Sequence, residues 1–340
     1  MEFLNRRPTS SGRLKRTSTR LISQFDRSSG SILPKWIRKK RNCGNRNLFV
    51  SHHTPRDTIL FALGVGANVK SDLHFLYENH DNFQVFPTFV INPGLRAGRL
   101  QEAPGIDFKL EQILHGEQYI ELFAPIPDDG ELRCETQIVD VLDKKTSAII
   151  LANVTVFDNQ NGKKLAKLQS ATVQMGSGNF NGARTNPEEI VAVAVPKRAA
   201  DHIAEETTSF DQVSGHARSS TFCLQAALYR LGSMDLNPLH VDPQFAKMGG
   251  FKQPILHGMC TLGVSTRAVL RDFGANDARN FKAVKARFSA PVLPGQTLLV
   301  EMWRGDQRGR VHFQTKIKET GKIVISSAYV DFHQVHQPKL

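Results

Sequence analysis

An order of elements written twice constrains this chain more than any other feature. Thr58–Ala67 is apolar nearly all round, which predicts a helix wrapped by sheet. From Gly116 the apolar period falls to two, and Glu131–Val139 and Ala148–Phe157 read as strands. Asn161-Gly162 predicts a type I′ hairpin turn into a strand over Lys164–Gln174, since both central residues of that turn need positive φ. The second half repeats the order. Helical runs over Gln225–Leu231 and Gly258–Leu270 precede strands over Gln296–Trp303, Arg310–Lys318 and Lys322–Phe332, with a turn at Thr320-Gly321. The strand blocks open alike: Ala124–Gly130 recurs 166 residues later as Ala290–Gly295, with one residue of slippage. A helix followed by antiparallel strands, twice, predicts a duplicated α+β unit, each sheet wrapped round a central helix. The divisions are a basic tail at 1–46, a first half at 47–185, a linker at 186–207, a second half at 208–335 and a short tail at 336–340.

Charge narrows the partners. The net charge is +12, and residues 1–46 hold thirteen basic residues against Glu2 and Asp26. The remaining chain is therefore within one charge of neutral, whereas phosphate-tracking proteins spread Lys and Arg over a folded face. No nucleic-acid partner is expected. No apolar run is long enough for a spanning helix, and four dispersed cysteines without a C-x-x-C pair fit a thiol-reducing compartment. His52, His53, His333 and His336 lack metal-ligand company, so no metal is expected, and Cys260 reads as a small packed hydrophobe. The first 46 residues have the composition of a transit peptide, of a disordered extension or of a misjoined upstream stretch.

The densest polar cluster runs from Asp235 to His240, followed by Asp242-Pro243 and, further on, His257-Gly258. These residues suit a turn at Asn237-Pro238, a capped short helix after Asp242 and a helix start at Gly258. A carboxylate and an imidazole five residues apart across an Asn-Pro turn can also converge on one water. A Gly opening a helix can point a free N–H into the same space. Base, acid and oxyanion donor suit chemistry alpha to a carbonyl.

The run from Leu228 to Gly263, with D-x-N-P-L-H and its distant H-G, closely resembles the hydratase 2 motif of MaoC-like hydratase domains. The likeness extends through Leu114–Tyr119, Asp140–Lys144, Lys285–Phe288, Pro294–Thr297 and Glu301–Trp303, over roughly residues 57–333. The resemblance implies a double hot-dog fold, α+β, and reversible hydration of trans-2-enoyl-CoA to (3R)-3-hydroxyacyl-CoA in fatty-acid β-oxidation, without a cofactor. Asp235 and His240 match the catalytic pair, Asn237 their support and Gly258 the backbone donor to the thioester oxygen. Substrate contacts fall on His115, Gly116, Lys144 (near a CoA phosphate), Leu236, Pro238, Leu239 and Phe288. The first half lacks D-x-N-P-x-H, which leaves room for long or branched acyl tails. A homodimer is implied.

Two departures bear on activity. About a dozen polar residues, Gln212–Leu224, stand where relatives run directly into Gln225, and Gly232-Ser-Met-Asp235 replaces Ser-Gly-Asp. If that Gly position needs positive φ, Met234 is strained. The alternatives are a non-catalytic acyl-CoA-binding hot-dog protein and a 3-hydroxyacyl-thioester dehydratase of mitochondrial fatty-acid synthesis. Pro338-Lys339-Leu340 resembles a peroxisomal S-K-L signal read by an import receptor, whereas the basic tail favours mitochondria.

Overall fold

The computed structural model describes residues 47–98, 112–208, 224–306 and 309–338. The tail at 1–46, nearly all of the 212–224 insert and the terminal Lys339 and Leu340 lie outside the described residues. Five helices and ten strands organise them: β1 (Asn47–His53), α1 (Pro55–Gly64), α2 (Ile91–Ala97), β2 (Ile113–Leu122), β3 (Gly130–Asp143), β4 (Ser147–Asp158), β5 (Lys164–Met175), β6 (His202–Thr207), α3 (Leu224–Ser233), α4 (Pro243–Met248), α5 (Gly258–Phe273), β7 (Phe281–Phe288), β8 (Thr297–Arg304), β9 (Arg310–Ile317) and β10 (Ile323–Phe332).

The strands form one antiparallel sheet in the order β1-β3-β4-β5-β2-β7-β10-β9-β8-β6. The expected pair of sheets is therefore fused. Glu117 pairs with Arg287 and Glu121 with Ala283, so β2 and β7 join the halves edge to edge. Each half still curls round a helix, as expected of a double hot-dog. In the second half that helix is α5, buried from Met259 through Leu270 because, Arg267 apart, apolar and small residues occupy its circumference.

The first-half helix over 58–67 requires correction. α1 packs against α3, and the segment on the first sheet is the 3-10 turn Pro87–Val90 with the short α2. α1 is apolar all round because a second helix covers the face that water would otherwise meet. The crossing is tight: a Cβ on Gly64 would meet Tyr229 Cα at 2.6 Å, and one on Gly232 would meet the Phe61 backbone at 2.3 Å.

Both hairpin turns share a geometry other than type I′. Only Gly162 has positive φ at the first (+71°), and Asn161 does not. The Asp158 N–H donates to Lys163 O and the Gly162 N–H to Asp158 O; Ile317, Lys322 and Gly321 repeat this pattern in the second half. The linker also ends earlier than expected, at residue 201, since His202–Thr207 is the outer strand β6 paired with β8. Its irregular part straps across the sheet: Gln169 Nε2 donates to Glu188 O (2.8 Å), the Ile190 N–H donates to Gln169 Oε1 (2.7 Å), and Trp303 Nε1 donates to Arg198 O (2.9 Å).

A buried cation ties the halves together. Arg267 of α5, 3% exposed, donates to Val65 O (3.2 Å) and Asp72 (3.1 Å) of the first half and pairs with Glu206 of β6. Each guanidinium edge is satisfied, as a buried charge requires.

Candidate active site

The residues between α3 and α4 fold by local turn chemistry. Asn237 opens a 3-10 turn over Pro238–His240, its side chain accepting from the Leu239 N–H. Its own N–H donates to Asp235 Oδ1 (3.2 Å). Asp242 accepts from the Gln244 and Phe245 N–H groups and so caps α4. The turn lowers His240 into the interior, where it is 8% exposed, and leaves Asp235 half-buried at the mouth.

His240 Nδ1 lies 2.8 Å from the Ile255 carbonyl oxygen. A carbonyl only accepts, so Nδ1 carries the proton and Nε2 presents a lone pair. Burial holds the His240 pKa below its ordinary value, with Asp235 opposing the shift. The ring is therefore neutral near pH 7, the state that a general base needs.

His257 stacks on His240 with ring centroids 3.7 Å apart and planes 27° apart. Burial and the neighbouring His240 push its pKa down to about 2. Among the described residues neither ring nitrogen makes a well-formed hydrogen bond, and the Asp235 main chain faces the ring. One donor atom each from Asp235, His240 and His257 lie within 4.8 Å of one another. That span is wide enough for one water to bridge carboxylate and imidazole. For a metal it is less apt, because an imidazole binds a metal in its ring plane and these two planes are stacked 3.7 Å apart.

His257 is also the N-cap of α5, so Gly258 is the first helical residue and its N–H has no intrahelical acceptor. A Cβ on Gly258 would sit 3.5 Å from Phe288, whose ring is 5.4 Å from His115. His115 and Gly116 stand at the β2–β7 junction, where Gly116 lies within a β-bulge against Val173. The site thus straddles both halves: Asp235, Asn237, His240, Gly258 and Phe288 come from the second, His115 and Gly116 from the first. Burial lowers the His115 pKa to about 4, so it too is neutral near pH 7.

Three sequence-predicted contacts follow the loop: Leu236 is 51% exposed, Pro238 is exposed and Leu239 is half-buried. Lys144 stands apart. It lies at the end of β3, three strands from β2 and so about 14 Å across the sheet, with its Nζ donating to Arg184 O at 2.6 Å. Cys260 is buried and donates to Gly64 O (3.2 Å), a packing role.

The repeat exposes what the first half lacks. Phe61, Gly64, Gly66 and Ala67 at the end of α1 correspond to Tyr229, Gly232, Met234 and Asp235 at the end of α3. The 3-10 turn Leu73–Phe75 corresponds to Pro238–His240, and Phe86-Pro87 to His257-Gly258, with Phe86 at φ −61°, ψ 132° and His257 at φ −58°, ψ 134°. Ala67, Phe75, Phe86 and Pro87 thus stand where the second half has Asp235, His240, His257 and the Gly258 N–H.

The same correspondence explains Met234. Its φ is +56° and that of Gly66 is +85°, so the position demands left-handed backbone. An L-residue there costs roughly 1–2 kcal/mol, partly offset in Gly by greater unfolded-state freedom. Met234→Gly is expected to raise stability by about 1 kcal/mol, measured by denaturant unfolding, with activity retained.

Comparison with known proteins gives the family. The MFE-2 hydratase 2 N-terminal domain matches residues 51–176 and the MaoC like domain residues 194–328. Enoyl-CoA hydratase 2, peroxisomal, from Arabidopsis thaliana is 35% identical over 84% of this chain and 95% of its own length. The chain belongs to the MaoC-like hydratase 2 family. A MaoC-like dehydratase from Phytophthora capsici superposes on this chain with a TM-score of 0.72 and 32% identity, covering 85% of this chain and 96% of the other. Peroxisomal multifunctional enzyme type 2 of Mus musculus is 47% identical over 83% of this chain. The chain spans 37% of that relative's length.

The motif places His257 at a helix start and gives neither it nor Tyr229 a role at the site. The signal that reveals them is the repeat, since each has a Phe at the matching station.

Proposed function

We propose that this chain is a hydro-lyase that adds water reversibly across trans-2-enoyl-CoA to give (3R)-3-hydroxyacyl-CoA in fatty-acid β-oxidation. The observation that carries the reading is the convergence of Asp235 and His240 within reach of one water, with the helix-opening N–H of Gly258 following directly on His257 of the same cluster. His240 Nε2 takes a proton from water as the hydroxyl adds to C3. Negative charge grows on the thioester oxygen and meets the Gly258 N–H. A proton returned to C2 from the Asp235–His240 pair completes the addition. Asn237 holds the pair through its N–H to Asp235 and its cap on the 3-10 turn. Phe288, His115 and Gly116 line the approach, Leu236, Pro238 and Leu239 form its rim, and Lys144 serves the distant CoA phosphates.

The names of the relatives support this chemistry. They support peroxisomal residence as well, and a homodimer belongs to the same proposal. Among the described residues of the first half, a 3-10 turn and the seven-residue α2 stand where the second half has the sixteen-residue α5. This favours acceptance of long or branched acyl chains. A hydration assay with crotonyl-CoA and decenoyl-CoA tests the reading: turnover of both is expected, and binding without turnover contradicts it.

A further inference from the structure

We propose that His257 is a positioning residue, whose uncharged imidazole face braces His240 and stabilises the imidazolium formed when His240 takes the water's proton. This rests on the hydration reading above. Two aromatic rings pack against His257. His240 stacks on it at 3.7 Å, and Tyr229 of α3 packs at 5.0 Å with its plane tilted 48°. Phe61 of α1 backs Tyr229 at 5.4 Å, so the tight α1–α3 crossing supports the stack from the first half. His257 is 1% exposed, and among the described residues its ring nitrogens make no well-formed hydrogen bond. One ring nitrogen borders the space between Asp235 and His240, while the ring face is held against His240.

That face has a task. His240 is buried, so its protonated form is penalised, and Asp235 lies at only one side of it. A neutral aromatic face against a desolvated cation contributes electrostatic stabilisation that water cannot supply there. His257 stays neutral throughout, since burial, His240 and Arg230 all oppose its charging. The titratable groups facing the stacked pair are Asp235 from the loop and Tyr229 and Arg230 from α3.

The first half shows that the station tolerates a hydrocarbon ring. Phe86 takes the His257 backbone geometry and sits between Phe61 (6.4 Å) and Phe75 (5.4 Å), as His257 sits between Tyr229 and His240.

The test compares His257→Phe with His257→Leu in the full chain, using crotonyl-CoA kinetics and an NMR titration of the His240 ring. Phe keeps a face and is expected to hold kcat within about threefold, with the His240 titration near its wild-type midpoint. Leu removes the face and is expected to lower kcat about tenfold with little change in KM, and to move the His240 midpoint to lower pH. His257→Met makes the same comparison should Leu not fold. A His240 midpoint that is the same in all variants, or a Phe variant as impaired as Leu, overturns the proposal. Failure of the hydration reading would appear separately, as a wild-type chain without turnover.

Discussion

Asp235→Asn is expected to lower kcat for crotonyl-CoA hydration by about 10²–10⁴-fold while leaving KM within a few-fold. The magnitude is that of one positioned acid–base group. The substitution changes little else. An Asn side-chain oxygen can still accept from the Asn237 N–H, now made at 3.2 Å, so the turn that lowers His240 is preserved. What disappears is the carboxylate that flanks the water and the transient imidazolium. Steady-state kinetics beside a far-UV and thermal comparison check the prediction. Unchanged kcat in a folded Asn variant would remove Asp235 from the chemistry.

The second large effect concerns a backbone group. Gly258→Pro deletes the N–H proposed to face the thioester oxygen, and a rate loss of about 10²–10³-fold is expected, the usual consequence of losing one oxyanion donor. Pro at a first helical position is ordinarily well accommodated, since that N–H lacks an intrahelical partner. The molecule itself provides the precedent: Pro87 follows Phe86 at the corresponding station with nearly identical backbone angles before it. Gly258→Ala is the control. Its Cβ would meet Phe288 at 3.5 Å, an ordinary contact, and the N–H remains. Ala is expected to keep most of the activity and Pro very little. Equal activity in the two variants would exclude the N–H from catalysis.

The legible parts of this chain were the local ones. The Asp235–His240 turn and the Asp242 cap follow from Asn, Pro and Asp side chains acting within three residues of themselves. The repeat gave the fold class because period-two and helical runs survive in both halves. Other features depended on distant partners. Acid-rich β6 reads as linker because Glu205 and Glu206 look solvated; in the fold they pair with Lys318, Arg267 and Arg271. α1 reads as sheet-wrapped because the helix covering it lies far along the chain. The fusion of the sheets through β2 and β7 has no local signature. His257 is a single residue in a helix-start pattern, and its stack on His240 depends on both the 3-10 turn and the N-terminus of α5.

The most direct measurement is chiral analysis of the product that the full chain makes from trans-2-enoyl-CoA, with Asp235→Asn run in parallel. The account predicts (3R)-3-hydroxyacyl-CoA from the wild-type chain and at most a trace from the variant. No product, a (3S) product, or equal (3R) yield from both proteins would contradict it.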